Sequence, residues 1–442
     1  MRSGRSAVRG CRNDEGIRDV DPTVAQTFAS GGREIVREVR AGQFTAASVL
    51  AVERRPLASA DRYGLGRTWE RLLLRGRTPR TELSDSHRPI RVVDLCCGPG
   101  GFATGFRRAC QAVGVRCTFA AAVDISPYAL AVYRLNLRPR SLVAEHIANL
   151  VDYDDSASGP LVTGELQAHT DSVDVVLAGP PCEGNSNLNN RTRRVDRRNE
   201  LYVSCVALAI GLKARVIIVE NVAQVTKAKQ HVVPRAAQML ERQGYQVVSA
   251  GLVLDAAEFG AAQRRRRHFL IAARTPRPLD IDSVAGLEVG PLSVMDAIGD
   301  LADERSDQIL DRPSRLSVEN QARVDYLFAH PDSYDLPESE RPECHRDGHT
   351  YPSVYGRMRA DQACQTITTG FLSPGRGRYV HPTVPRSLTL REGARLQGFA
   401  DDYRWFREHQ APPRTTLASL IGNAVPPQLG YVTGLLGLAA LS

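Results

Sequence analysis

The sequence predicts an α/β protein built on a doubly wound, mainly parallel sheet, with a smaller irregular domain beside it. Three observations predict it. Between residues 89 and 275, short apolar runs alternate with helix-length segments, the pattern of successive βα units. The first apolar run opens into a glycine-rich turn, Cys96-Cys-Gly-Pro-Gly-Gly-Phe102. From Pro276 the alternation stops and the chain turns polar and proline-spotted.

The elements follow in order. Residues 1–88 form an Arg-rich N-terminal extension whose first twenty residues read as unstructured. Within it, Pro22–Arg40 and Thr68–Leu74 have helical character, and a packing appendage is the default role. In 89–275 the expected strands are Val92–Leu95, Thr118–Val123, Val173–Leu177, Val216–Val219, Gln246–Leu254 and His268–Ala272. The expected helices are Phe102–Val113, Pro127–Leu137, Leu201–Leu212 and Val232–Gln243. Residues 276–410 form the irregular domain, and in 411–442 the stretch Thr416–Leu441 returns to an apolar helical pattern that should dock back on the sheet. No internal repeat is visible.

Chemistry concentrates at strand ends. Gly179-Pro-Pro-Cys182 follows one apolar run, and Glu220 ends the next, 38 residues past Cys182. At the carboxyl ends of neighbouring strands, a thiol and a carboxyl would face one crevice. That pair suits attack on an electron-poor ring, the thiolate adding to carbon while the acid holds a ring nitrogen. The bland alternative is a cysteine that merely fills an apolar stretch. Upstream, the glycine turn after Asp94 lets backbone approach a ligand at a helix N-terminus. Its spacing, Gly98-Pro-Gly-Gly-Phe-Ala-Thr-Gly105, is not the dinucleotide fingerprint, which sets aside a nicotinamide oxidoreductase. One βα unit later, Asp124 ends a strand with an acid suited to a ribose diol.

Together these segments resemble the ordered motifs of the DNA cytosine-5 methyltransferase family in its bacterial form. Asp94-Leu-Cys-Cys-Gly-Pro-Gly-Gly-Phe102, Gly179-Pro-Pro-Cys182 and Glu220-Asn-Val222 match in order. So do Gln263-Arg-Arg-Arg-Arg267, Arg391-Glu-Gly-Ala-Arg-Leu-Gln-Gly-Phe399 and Gly422-Asn-Ala-Val425. The resemblance implies a Rossmann-like class I fold and methyl transfer from S-adenosyl-L-methionine to C5 of cytosine in double-stranded DNA. It implies Cys182 as nucleophile, Glu220 as acid on N3, Arg265 on the O2 edge and Arg267 in support of the catalytic loop. For the cofactor it implies Asp94, Gly98, Gly100, Gly101 and Phe102 around the methionine and adenosine, with Asp124 and Ile125 at the ribose side. Pro181 or Leu201 would flank the adenine or methionine, and Asn423 and Val425 would close the methionine side. The target base must be flipped out of the duplex, and Asn187–Arg198 is the segment suited to close over it. The irregular domain is then the target-recognition region, with Arg341, Arg346, Arg357 and Arg359 as candidate base readers.

Three departures from the family pattern stand out. Cys96 replaces a common aromatic. Ala144-Glu-His-Ile147 offers His146, or Glu145, where an Asp usually meets the adenine amino group. Glu183 and Asn185 follow the nucleophile in place of Gln and Phe. Two other readings remain: an RNA cytosine-5 methylase, and a catalytically silent DNA-binding protein of this fold. The Cys-Phe-Thr signature of RNA-acting members is absent, and Cys182, Glu220 and Arg265 are all present. The implied partner is a cognate restriction endonuclease or another phage-defence component, unless the enzyme is an orphan. Net charge is +8, as a polyanion partner favours, although only Lys213, Lys227 and Lys229 are lysines among 57 basic residues. The nine cysteines lack Cys-x-x-Cys pairing, which argues against a metal site or a disulfide framework. No run approaches the roughly 18 apolar residues of a membrane span. A cytoplasmic, nucleoid-associated monomer is expected.

Overall fold

The computed structural model describes residues 21–29, 33–52, 64–153, 159–181, 199–274, 280–302, 306, 308–346 and 353–441. In the N-terminal segment the helical expectation for Pro22–Arg40 is wrong. The chain there forms β1 (Thr23–Phe28) and β2 (Glu34–Ala41), and burial along both alternates residue by residue. That period of two suits a sheet with one face covered. β3 (Phe44–Ala51) turns back on β2 through Gly42, whose φ of 57° fits a tight hairpin, and β4 (Arg80–Thr81) completes a four-stranded antiparallel sheet. Thr68–Leu74 lies in the helix α1 (Gly64–Leu74), and Trp69 packs with Ile35 and Leu50 of the sheet.

The body of the molecule follows. It comprises β5 (Ile90–Leu95), α2 (Gly101–Ala112), β6 (Cys117–Val123), α3 (Pro127–Leu137), β7 (Ser141–Val143), the short pair β8 (Val151–Asp152) and β9 (Leu161–Val162), β10 (Val175–Ala178), α4 (Glu200–Gly211), β11 (Val216–Val222), α5 (Val232–Arg242), β12 (Gln246–Asp255) and β13 (Arg266–Ala273). Seven of these strands form one sheet in the order β12-β13-β11-β10-β5-β6-β7. Only β13 runs antiparallel to its neighbours, β11 and β12. Alternate side chains divide between two cores. Val92, Leu177, Ile218 and Ile271 face α2 and α3, while Val93, Val176, Ile217 and Leu270 face α4 and α5. A strand buried on both faces must be apolar throughout, which is why these strands read as unbroken apolar runs. Successive strands β5, β6 and β7 march to one edge, and β10 and β11 lie on the other side of β5. The order therefore reverses between β5 and β10, the place where ligands sit in open α/β sheets.

Beyond β13 regular structure is sparse: α6 (Val294–Ile298), α7 (Val318–Ala329), α8 (Leu390–Leu396), α9 (Arg414–Asn423) and α10 (Pro427–Ala440). One core here joins Val294, Ile298, Ile367, Phe371, Leu390 and Leu396. A smaller one joins Val324 and Leu327 of α7 to Leu336, Val354 and Val380. Thr416–Leu441 is two helices rather than one, broken where Pro426 and Pro427 cannot continue α9. Only α10 docks back on the sheet domain; Leu417 and Ile421 of α9 pack into the irregular region. The α2–α10 contact is very close. A Cβ on Gly105 would lie 2.1 Å from the Pro427 carbonyl oxygen, so no larger residue fits there.

Candidate active site

The crevice is built from the ends of β5 and β10. After Leu95 the turn passes through Gly98 with φ of 53°, a left-handed conformation that glycine adopts without strain, and no atom lies within 4 Å of where its Cβ would be. Gly98 thus presents open backbone. Gly100 and Gly101 are glycine for another reason: a Cβ on Gly100 would lie 2.6 Å from Leu137, and one on Gly101 2.2 Å from the Val425 carbonyl oxygen. Phe102 is buried beneath the turn, its ring edge-on to Phe269, so it supports the turn from the core side.

Two acids flank the turn. Asp124 accepts hydrogen bonds from the amides of Gly98 (2.9 Å) and Ser126 (2.8 Å), tying the end of β6 to the turn. Burial raises its pKa, and those amides counter it. Ile125 beside it is 68% exposed, an apolar surface left open to solvent. Asp94 is fully buried, and neither carboxylate oxygen has a hydrogen-bond partner among the described residues. Burial holds its carboxyl well above the usual range, although the Tyr133 hydroxyl nearby pulls it down. Glu145 and His146 are exposed and serve local turns: His146 Nδ1 accepts from Ala148 N at 3.3 Å, and Glu145 accepts from Asn149 at 2.9 Å.

On the β10 side, Gly179 N donates to the Leu95 carbonyl at 3.0 Å, and Pro180 and Pro181 follow along the crevice. Cys182, Glu183, Asn185 and Asn187–Arg198 lie outside the described residues. The turn before Cys182 is held by Asn221, whose buried Nδ2 donates to the Pro180 carbonyl at 3.1 Å. That role was missed from sequence, although Asn221 stands in a quoted motif; an amide following a strand-end acid was the signal.

Glu220 is buried on β11, with Phe269 of β13 opposite; Arg267, opposite Val222, is its diagonal neighbour on the same face. Arg267 Nε lies 2.9 Å from Glu220 Oε1. Burial raises the Glu220 pKa, while Arg267 and, less strongly, Arg265 pull it down. Strand alternation sorts the four successive arginines. Arg264 and Arg266 are exposed, whereas Arg265 and Arg267 turn inward. Arg265 donates to the carbonyls of Ile367 (2.9 Å) and Gly422 (3.0 Å), fastening the irregular region and the end of α9 to the sheet. Gln263 does similar work: it donates to the Leu396 carbonyl and accepts from Ile367 N, each at 3.0 Å. Val425 touches both halves of the crevice, its carbonyl packed on Gly101 and its Cγ2 beside Gly179, while Asn423 is exposed. Leu201 is half-buried at the start of α4.

Of the candidate base readers, Arg357 is ruled out by burial: it is 7% exposed and stacked on Phe328 and Tyr334. Arg341 and Arg346 bond backbone carbonyls of their own loop. Arg359 is exposed, its guanidinium 4.3 Å from the Tyr334 ring centre.

An open α/β sheet with a glycine turn, two acids and a strand-end glutamate about its switch point defines a class I methyltransferase. The chain belongs to the C-5 cytosine-specific DNA methylase family, whose pattern matches residues 90–434. It is 34% identical over 418 residues to the Type II methyltransferase M1.BsuMI of Bacillus subtilis, covering 93% of this chain and 94% of that one. It is 29% identical to the Type II methyltransferase M.XorII of Xanthomonas oryzae pv. oryzae, covering 78% of this chain and 84% of that one. The fold is similar to that of the Entamoeba histolytica methyltransferase EhMeth (TM-score 0.51, 15% identity), over 80% of this chain and 98% of that one. The protein is thus a DNA cytosine-5 methyltransferase. No helix among the described residues is long and apolar enough to cross a membrane.

Proposed function

We propose that this enzyme methylates C5 of a flipped-out cytosine through a covalent bond between Cys182 and C6, as the modification half of a restriction or phage-defence system. The observation that carries the mechanism is Glu220: a carboxyl buried at a strand end beside Pro180, with its pKa raised. C5 of cytosine is a poor nucleophile by itself. Addition of the Cys182 thiolate to C6 makes C5 enamine-like, and protonated Glu220 donates to N3, where negative charge gathers. In this reading Arg267, already bonded to Glu220, reaches the O2 edge. Arg265 donates to the Ile367 and Gly422 carbonyls, which supports a positioning part for it in this reading. Loss of the C5 proton to water and departure of Cys182 then restore the ring.

The crevice fits S-adenosyl-L-methionine, which supplies a methyl group on a sulfonium cation. Asp124 suits the ribose hydroxyls, the buried Asp94 carboxyl lies under the turn, open Gly98 accommodates the cofactor's approach, and Ile125 gives an apolar face beside the ribose. Val425 and Pro181 would border the methionine side. Of the four candidate readers, Arg359, exposed and stacked on Tyr334, is the one we take to meet DNA. The relatives' descriptions as Type II methyltransferases support pairing with a restriction endonuclease.

Cys182→Ser should abolish tritiated-methyl transfer to DNA, since oxygen poorly replaces a soft thiolate. Duplex DNA carrying 5-fluorocytosine in the recognition sequence should trap a covalent adduct, because fluorine cannot leave as a cation. Full activity of the serine variant, or trapping on RNA but not DNA, would sink this reading.

A further inference from the structure

A second cavity lies away from the crevice, where the N-terminal sheet and α1 meet α2 and α10. Its volume is about 260 Å³, and it shares none of the residues assigned to catalysis or cofactor binding. Arg37 of β2 forms part of its wall and is 3% exposed. One of its nitrogens, Nη1, bonds Glu70 Oε1 at 3.1 Å, and its guanidinium lies 4.5 Å from the Trp69 ring centre. Its Nε and Nη2 have no hydrogen-bond partner within bonding distance among the described residues, although the Tyr431 hydroxyl lies beside it. Buried donors of a charged group left unmade cost more than neutral ones.

Charge in the cavity is unbalanced. Arg107 and Arg108 join Arg37 in the lining, facing the carboxylates of Glu70 and Asp402. Arg107 spends one nitrogen on the Asn136 carbonyl at 2.6 Å. Arg108 has no hydrogen bond or ion pair to the described residues. Burial lowers its pKa; Glu70 opposes this, and Arg107 adds to it. Water would satisfy the open donors but would leave this excess positive charge uncompensated.

We propose that the cavity binds a small free oxyanion, a sugar phosphate or a di- or tricarboxylate, held between Arg37 and the Arg107–Arg108 pair. Its size excludes a duplex, and near-complete burial keeps Arg37 from a DNA backbone. The cavity adjoins the cofactor turn, since Tyr403 in its wall donates to the Pro99 carbonyl. The alignment with M1.BsuMI covers 93% of the chain and so must reach into the N-terminal unit that forms one side. This inference stands whether or not the covalent mechanism above is right.

Calorimetric titration of the full-length protein with inorganic phosphate, ribose 5-phosphate and citrate at fixed ionic strength tests it. At least one probe should bind saturably and raise the melting temperature. Arg108→Ala should weaken that probe at least tenfold, and Arg37→Met likewise. Arg235→Ala, which removes a surface arginine paired with Glu200, should not. Arg108 anchors no described contact, so its alanine variant should fold even if Arg37→Met does not. Absence of saturable binding by all three probes, or binding indifferent to Arg108→Ala, would overturn the proposal. So would loss of duplex affinity in Arg108→Ala with no probe bound, which would assign the charge to DNA phosphate.

Discussion

Two buried glutamates in this molecule each face an arginine, and their carboxyls move in opposite directions. Glu220 in the crevice has one close contact, Arg267 Nε at 2.9 Å, and its pKa is raised. Glu392 at the start of α8 is pushed up by burial as well, yet Arg386 and His381 outweigh that and hold it at about 2. The difference lies in hydrogen bonds rather than in the presence of an arginine. Arg386 grips both Glu392 oxygens, at 2.8 and 2.7 Å, and the Thr389 amide donates to one of them at 2.8 Å in a capping box. A carboxylate saturated in this way stays ionised and serves as structure. One held by a single lateral contact can still take up a proton and lend it to a substrate.

The comparison breaks most visibly through substitution. Glu220→Gln should lower single-turnover methyl transfer by about 10²–10⁴-fold, the range of a general acid, and should cost less unfolding free energy than Glu392→Gln, because an acid with a raised pKa gives less to its arginine. Glu392→Gln should do the reverse. It leaves part-buried Arg386 and buried His381 without their acid and should cost about 3–5 kcal/mol in urea unfolding, with residual activity tracking the folded fraction. If both variants lost activity and stability in parallel, the division of the two acids into a working and a structural one would fail.

A pH series sharpens the same contrast. Glu392 is held below its ordinary value of 4.5, so its stabilisation is present above that value and lost as pH falls toward about 2. Glu220 has the opposite sign: its raised pKa gives a contribution present at low pH and lost as pH rises through the folded value. From pH 7 to 4 the stability gap between wild type and Glu392→Gln should therefore narrow only at the acid end. Transfer by wild type should fall on the alkaline side of the raised Glu220 pKa, and that limb should vanish in Glu220→Gln. The smallest expected effect is Thr389→Ala, which removes one half of the capping box. It should cost about 1 kcal/mol in unfolding and leave the transfer rate of folded enzyme unchanged. A rate loss beyond twofold would mean that α8 positions the crevice more directly than the geometry indicates.

Much of the sheet was legible because strands covered on both faces, such as Val216–Val219, must be apolar at every position. The N-terminal sheet was not. Its strands are half covered, and Glu34, Arg37, Glu38 and Arg40 fall at spacings that mimic a helix face; only partner strands reveal the period of two. In the site, the identity of Glu220 and of an inward arginine pair was readable. Which arginine meets the acid was not, because that depends on the β11–β13 register. The motif around Arg391–Phe399 announced itself, but its role did not. Arg395 is spent on Asp300 at 2.6 Å and Asp401 at 2.6 Å, and Arg391 on Asp311, so the motif ties together distant segments of the irregular region. Long-range ion pairs leave no local periodicity to read.

The contact of Val425 with Gly101 sets an order of events on the ribosome. The glycine turn is synthesised early, whereas the residue that closes it, and the helix whose glycines let it approach, come long afterwards. Contacts so distant in sequence form slowly and only after the intervening loop is closed. A nascent or prematurely terminated chain can carry Gly98, Cys182 and Glu220 and still lack the wall that completes the crevice. Methylation is thereby tied to translation through α10, and a fragment ending before Val425 should be inert rather than partly active.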